Sequence, residues 1–336
     1  MKITAPIKTV EMHTGGEPLR IITEGYPKIP GESILEKRRY VRDNLDHIRH
    51  LLMFEPRGHF DMYGALLVPP SDPEADLAVL FLHNEGYSTM CGHAIIALGR
   101  FAVDQKLVEI CEPVTTVKIE CPCGLVVASV EVTEGKSGNV SFISVPAFAF
   151  AIDQIVDVKG YGQVQFDIGY GGAFYALASA DQLNLDVRNS PTRDLVDAAD
   201  TLSKAVRTSL KLSHPDSDDL AFLYGTILTD GRDDYSSDPT ANICVFAERQ
   251  VDRSPTGSGV TARIAVQHHK EIIKQDQTRT FESVTGSLFT AQAVQNLACG
   301  PHKAIRVKVS GKAHYLGEST FTYEEGDEIG KGFLLK

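Results

Sequence analysis

The chain has 336 residues, of which 43% are hydrophobic and 23% charged, with a formal net charge of -11. That length supports a sizeable core and two domains. The acidic balance disfavours nucleic-acid or anionic-membrane binding, because either needs a basic surface. The longest apolar runs, such as Ala94 to Leu98, are far shorter than the about 20 residues a spanning helix requires.

In chain order, the first residues, Met1-Lys2-Ile3-Thr4-Ala5-Pro6, contain no apolar h-region, so the expected compartment is the cytoplasm. Most of the remaining chain reads as short strands. A first helix is predicted over 94–107. Val126 to Val132 is β-branched and partly alternating, as half-buried strands are. Turn chemistry is present at Glu134-Gly135-Lys136-Ser137-Gly138-Asn139 and again at Gly169-Tyr170-Gly171-Gly172. A second helix is predicted over 195–210, with Asp194 as N-cap and Leu195, Ala198, Ala199, Leu202 and Val206 on one face. Ala241 to Ala247 is a mostly apolar strand, 259–274 a third helix, and Lys303 to Val309 a further strand. A domain crossing is expected near 145–155.

Two segments about half a chain apart match each other. Met90-Cys91-Gly92-His93-Ala94 and Asp252-Arg253-Ser254-Pro255-Thr256-Gly257-Ser258-Gly259 each set a side chain that could handle a proton before a Gly, and each Gly opens an apolar helical run. This suggests two related halves. A thiol at a helix N-terminus feels the positive end of the macrodipole, which favours the thiolate, a good proton acceptor. The blander reading of Cys91 is a small buried hydrophobe. The amides at Gly92, His93, Gly257 and Ser258 belong to helix starts, which bind carboxylates, and Gly lets the backbone approach closely. Taken singly, each segment reads rather as an ordinary tight turn; it is the match of the two that favours a site. The His93 ring either packs or hydrogen-bonds, its position suiting a backbone contribution. Asp252 either holds a substrate ammonium or is a loop Asp, solvated or paired with Arg253.

Other patterns are weaker. Gly257-Ser258-Gly259-Val260-Thr261-Ala262 fits a loose dinucleotide-binding pattern, but the nearest predicted strand ends at Ala247 and a polar loop intervenes. Cys121-Pro122-Cys123 has no partner pair at zinc spacing and reads as a strand end with two structural thiols, so no metal site is expected. The six cysteines, at 91, 111, 121, 123, 244 and 299, read as free thiols.

At these residues the chain resembles the proline racemase family of cofactor-independent enzymes. The match includes Met90 to His93 and Asp252 to Gly259, Met12-His13-Thr14-Gly15-Gly16-Glu17, Glu55-Pro56-Arg57-Gly58-His59 and Met62-Tyr63-Gly64-Ala65. It spans essentially the whole chain. Racemases and hydroxyproline epimerases of the family carry Cys where this chain has Thr256, and Thr there resembles the trans-3-hydroxy-L-proline dehydratase branch. The resemblance implies an α/β fold of two similar halves, each a mixed curled sheet around a central helix, with the site in the cleft between them. The halves are expected at 1–148 and 149–322, with a tail, 323–336, returning to the first. The resemblance implies Cys91 as the base, Thr256 opposite it, Asp252 on the ring nitrogen, the amides at Gly92-His93 and Gly257-Ser258 on the carboxylate, and Tyr63 and Phe246 as aromatic walls. Tyr63 replaces the family's more usual Phe. No cofactor is implied, the partner is a small imino acid, and a homodimer is expected. The alternatives are a proline racemase or 4-hydroxyproline epimerase with a weakened second face, and a non-catalytic imino-acid-binding protein.

Overall fold

A computed structural model describes residues 5–335. The leader reading at residues 1–4 lies outside the described residues. The chain divides into two compact units. The first holds the described residues up to Met90, Ala94–Val140 and those from Lys312 onward; the second holds Cys91–His93 and Ser141–Gly311.

The first unit opens with β1 (Ile7–Thr14) and β2 (Glu17–Glu24), an antiparallel hairpin turned by Gly15 and Gly16, both at positive φ. Helices α1 (Ile34–Asn44) and α2 (Asp46–Met53) come next. Sequence reading missed both. The signal was there: Ser33 caps α1, its Oγ accepting from the Glu36 amide, the start of an S-x-x-E pattern. The unit continues with β3 (Tyr63–Val68), β4 (Leu77–His83), α3 (Gly92–Asp104), β5 (Val114–Cys121) and β6 (Gly124–Thr133). β2 pairs parallel with β3, β3 antiparallel with β4, β4 parallel with β5, and β5 antiparallel with β6. From Ala94 to Leu98 every residue of α3 is fully buried. A helix apolar on all sides belongs in a core. At Gly99 an added Cβ would lie 3.1 Å from Val140 and 3.3 Å from Ala128, so the helix sits directly on its sheet. Strand β7 (Lys136–Ile143) carries the chain into the second unit.

There, β8 (Ala147–Val158), β9 (Gly162–Tyr170) and β10 (Phe174–Ser179) run antiparallel in sequence. Helix α4 (Thr192–Ser209) buries Leu195, Ala198, Ala199, Leu202 and Val206, the face its spacing predicts. Asp194 is not its N-cap. The helix begins at Thr192, after Pro191, so Asp194 falls in the first turn, where a carboxylate complements the helix dipole. Then come β11 (Leu223–Thr229), β12 (Thr240–Phe246), β13 (Gln250–Asp252), α5 (Gly257–His269), β14 (Arg279–Glu282), β15 (Leu288–Cys299) and β16 (His302–Gly311). β10 pairs parallel with β11, β11 antiparallel with β12, β12 parallel with β14, and β14 antiparallel with β15. This repeats the pairing order from β2 to β6, so the chain contains two similar mixed α/β halves. β15 pairs with β16 and β16 with β8, which closes the second sheet on itself. α5 is buried from Gly257 to Gln267 and packs against β8, β9, β15 and β16. Gly171 admits it closely: a Cβ there would sit 2.2 Å from the Ser258 carbonyl.

After Gly311 the chain returns to the first unit. β17 (Ala313–Phe321) pairs antiparallel with β1, and the segment beyond bridges Phe333 to Glu55.

Candidate active site

Cys91 and His93 lie at the start of α3 and group with the second unit. Both are buried, at 5% and 2% exposure. The Cys91 Sγ is 3.0 Å from His93 Nδ1 and 3.7 Å from Nε2. A ring read from sequence as packing or hydrogen-bonding is therefore in direct contact with the thiol, within reach for a proton to pass between them.

The second helix start meets the first backbone to backbone. A Cβ added to Gly92 would lie 2.4 Å from Gly257 Cα, and one added to Gly257 would lie 2.6 Å from Gly92 Cα. Only glycine fits at either position, and this contact is what brings the two matching segments together. In α5 the first intrahelical bond runs from Val260 N–H to the Thr256 carbonyl at 2.7 Å. The amides of Gly257, Ser258 and Gly259 precede it, in the turn whose N–H groups have no intrahelical acceptor.

Thr256 stands at the N-cap of α5 with φ 67°, in the left-handed region. A β-branched residue there is strained, which costs of order 1–3 kcal/mol and persists only where the surroundings enforce it. A ladder of local bonds does so. The Asp252 Oδ1 accepts from the Ser254 amide at 2.8 Å, and the Ser254 Oγ accepts from the Thr256 amide at 3.1 Å. The Thr256 hydroxyl does not cap its helix. It is buried and makes no hydrogen bond of normal geometry among the described residues.

Asp252 lies on β13 opposite Cys244 and is buried at 6% exposure. Burial raises its pKa to about 6, partly offset by the nearby hydroxyls of Ser254 and Thr256, the Ser254 amide and Arg253. The Arg253 Nη1 donates to the Val251 carbonyl at 2.9 Å. β13 also corrects the expectation that the nearest strand ends at Ala247. It is antiparallel to β12, so the Gly257-Ser258-Gly259 turn does not follow a parallel strand as a dinucleotide-binding turn does.

Phe246 ends β12, and its ring stacks on Tyr224 at 5.3 Å. Tyr224 meets Tyr175 edge-on at 5.8 Å, and the Tyr175 hydroxyl is 2.7 Å from the Ser258 Oγ. Burial holds the Tyr175 phenol well above its ordinary pKa, so it stays neutral. The aromatic row therefore fixes the second residue of α5. Tyr175, Tyr224 and Ser254 were missed in the sequence. Ser254 was recoverable from the alternation Asp252-x-Ser254-x-Thr256, the pattern of successive side-chain-to-backbone turns. The tyrosines, brought in from distant strands, leave no periodic trace.

Tyr63 lies in the first unit. It is buried, stacks on His83 at 5.9 Å, and its hydroxyl bonds Ser88. The extra oxygen relative to Phe thus anchors the segment that leads to Cys91. The reading of Cys121-Pro122-Cys123 as a strand end holds: β5 ends at Cys121, which is fully buried, and burial pushes Cys123 up to about 12.

The profile of the proline racemase family matches residues 9–334. The chain is 63% identical over 332 residues to the trans-L-3-hydroxyproline dehydratase of Xenopus tropicalis, covering 98% of this chain and 95% of that protein. It is 59% identical over 339 residues to the trans-3-hydroxy-L-proline dehydratase of Homo sapiens, covering 99% and 96%. A crystal structure of a hydroxyproline epimerase from Agrobacterium vitis, with bound trans-4-OH-L-proline, superposes with a TM-score of 0.93 at 26% identity, covering 100% of this chain and 96% of that one. No helix among the described residues is long and apolar enough to cross a membrane. With a family match across nearly its whole length and relatives this close, the chain belongs to the proline racemase family.

Proposed function

We propose that this chain is a hydro-lyase that removes water from trans-3-hydroxy-L-proline to give Δ1-pyrroline-2-carboxylate. The observation that carries this is the pairing of one thiol with one hydroxyl: Cys91 and Thr256 precede two helix starts whose glycines touch. Stereo-inversion needs an acid on one face of Cα and a base on the other, and a Thr hydroxyl is far too weak an acid to replace a thiol. Dehydration needs only one. In trans-3-hydroxy-L-proline the hydroxyl is trans to the carboxylate and so lies on the same face as the Cα hydrogen.

In this reading the Cys91 thiolate takes the Cα proton. The C2–C3 double bond forms as the C3–O bond breaks, and the same proton goes to the departing hydroxyl, which leaves as water. The enamine then tautomerises to the imine. His93, 3.0 Å from the sulfur, holds the thiol proton while Cys91 is a thiolate. The amides at Gly92-His93 and Gly257-Ser258 receive the substrate carboxylate, where charge builds as the proton leaves. The ionised Asp252 receives the ring ammonium. Thr256 fills the second face, its hydroxyl turned toward substrate or a water, and Phe246 walls the ring. No step requires a cofactor. A homodimer in the cytoplasm belongs to the same reading, and the acidic charge disfavours a nucleic-acid or anionic-membrane partner.

The test is incubation with trans-3-hydroxy-L-proline, L-proline and trans-4-hydroxy-L-proline in parallel, following imine with o-aminobenzaldehyde and inversion by optical rotation. Imine from the 3-hydroxy substrate alone is expected. Inversion of the other two without imine would return the chain to the racemases and epimerases.

A further inference from the structure

Apart from Cys91, a second thiol sits beside an imidazole. Cys299 ends β15 at the turn into β16, and His214 and Asp216 lie in the segment between α4 and β11. One ring nitrogen of His214, one carboxylate oxygen of Asp216 and the Cys299 Sγ lie within 4.8 Å of one another. Pro215 holds the two segments together. It packs on Gly300, at φ 53°, where an added Cβ would come within 2.7 Å of the proline ring.

The His214 side chain is only 3% exposed, with its ring 4.6 Å from that of Tyr170 and 6.0 Å from that of Phe148. Its Nδ1 accepts from the Asp216 amide at 3.2 Å and lies 4.0 Å from the Asp216 carboxylate, so the neutral ring carries its proton on Nε2, which is buried without a hydrogen-bond partner among the described residues. The Nδ1 lone pair therefore faces Asp216, where an ion would take the place of the amide proton. Asp216 is open to solvent, so the cluster has a path of entry.

We propose that His214, Asp216 and Cys299 form a binding site for a divalent cation of the zinc type, tying the segment after α4 to the β15–β16 turn. One thiolate, one imidazole and one carboxylate suit Zn²⁺ and disfavour Mg²⁺ and Ca²⁺, which take oxygen ligands. Binding forms a metal–sulfur bond as the Cys299 S–H proton passes to solvent. The ring nitrogen and carboxylate donate lone pairs, and a water completes four-coordination. Bond lengths of about 2.0–2.3 Å require the three donors to close in by roughly 1 Å, within the reach of side-chain rotation. His214 and Asp216 share one short segment, but Cys299 comes from a turn distant in the chain, so no local spacing marks the set.

The test uses the full chain, with affinity tags removed, stripped of metal and titrated with ZnCl2 by calorimetry. A Cys91→Ser background removes the other thiol–imidazole pair. One equivalent of Zn²⁺ is expected to bind, with no comparable heat from MgCl2. Co²⁺ should give the charge-transfer absorption of a metal–thiolate bond. Cys299→Ser should lose that absorption, and Asp216→Asn, at a solvent-exposed position that leaves folding intact, should weaken Zn²⁺ binding at least about tenfold. Circular dichroism of both variants should match the parent. No Zn²⁺ uptake by the parent, or equal uptake by the parent and both folded variants, would overturn the site.

Discussion

The Cys91 sulfur lies 3.0 Å from Nδ1 of His93, and both residues are buried. A thiol and an imidazole in contact, out of water, can exchange a proton without solvent. Cys91→Ser should therefore abolish dehydration, a loss of about 10²–10⁴-fold or more, while leaving the circular dichroism and melting curve unchanged. His93→Gln should lose less, about 10²-fold, because the thiol remains. Near-normal turnover by Cys91→Ser would remove it as the base.

Gly92 and Gly257 touch through their backbones, and a Cβ on Gly92 would lie 2.4 Å from Gly257 Cα. Neither atom is the end of a flexible side chain, so the two helix starts must move apart. Gly92→Ala should destabilise the protein by about 1–3 kcal/mol, the usual range for overpacking. It should also cost more in kcat than in KM, because the proton-transfer geometry is displaced. Thermal melts with steady-state kinetics decide this; a variant with native Tm and native kcat would show that the contact is not required.

In the proposed reaction Thr256 occupies the second face; its hydroxyl is buried and its backbone strained. Thr256→Cys places a thiol there without adding bulk. Inversion at Cα should then appear, seen as deuterium wash-in with loss of optical rotation, and dehydration should persist because Cys91 is untouched. Absence of any wash-in would mean that the second face is not positioned to deliver a proton.

Asp252 carries the pH dependence. Its pKa is about 6 in the fold against an ordinary value of 3.8. In substrate capture the carboxylate must be ionised, so kcat/KM should fall as pH drops below about 6. For stability the sign is opposite. The folded state binds more protons than the unfolded state between these values, so stability rises as pH falls from about 6 toward 4. Above pH 6 the buried charge costs about 3 kcal/mol. Asp252→Asn should raise Tm at pH 8, abolish turnover, and flatten the pH dependence of Tm between 4 and 6. A lower Tm at pH 8 would mean that the carboxylate is compensated within the fold.

Local rules made much of this protein legible. The helical face of Leu195 to Val206 and the matched glycine-led helix starts rest on contacts within a few residues of the chain; of the turn-rich run from Glu134 to Asn139 only Glu134-Gly135 turns, and Lys136 to Asn139 open β7. The Thr at position 256, on which the proposed chemistry turns, is likewise a property of the sequence. Helix α1 escaped because its start rests on one capping serine before an arginine-rich, weakly apolar run, and α2 because it is short and no side chain caps it. Only the tertiary structure decided the rest. It set the His93 ring against the Cys91 sulfur and brought Gly92 onto Gly257. It seated Tyr175 on Ser258 from 83 residues away and raised Asp252 by burying it. Each of these depends on which groups the closed sheet excludes from water. That is a sum over strands distant in sequence, and no local pattern carries it.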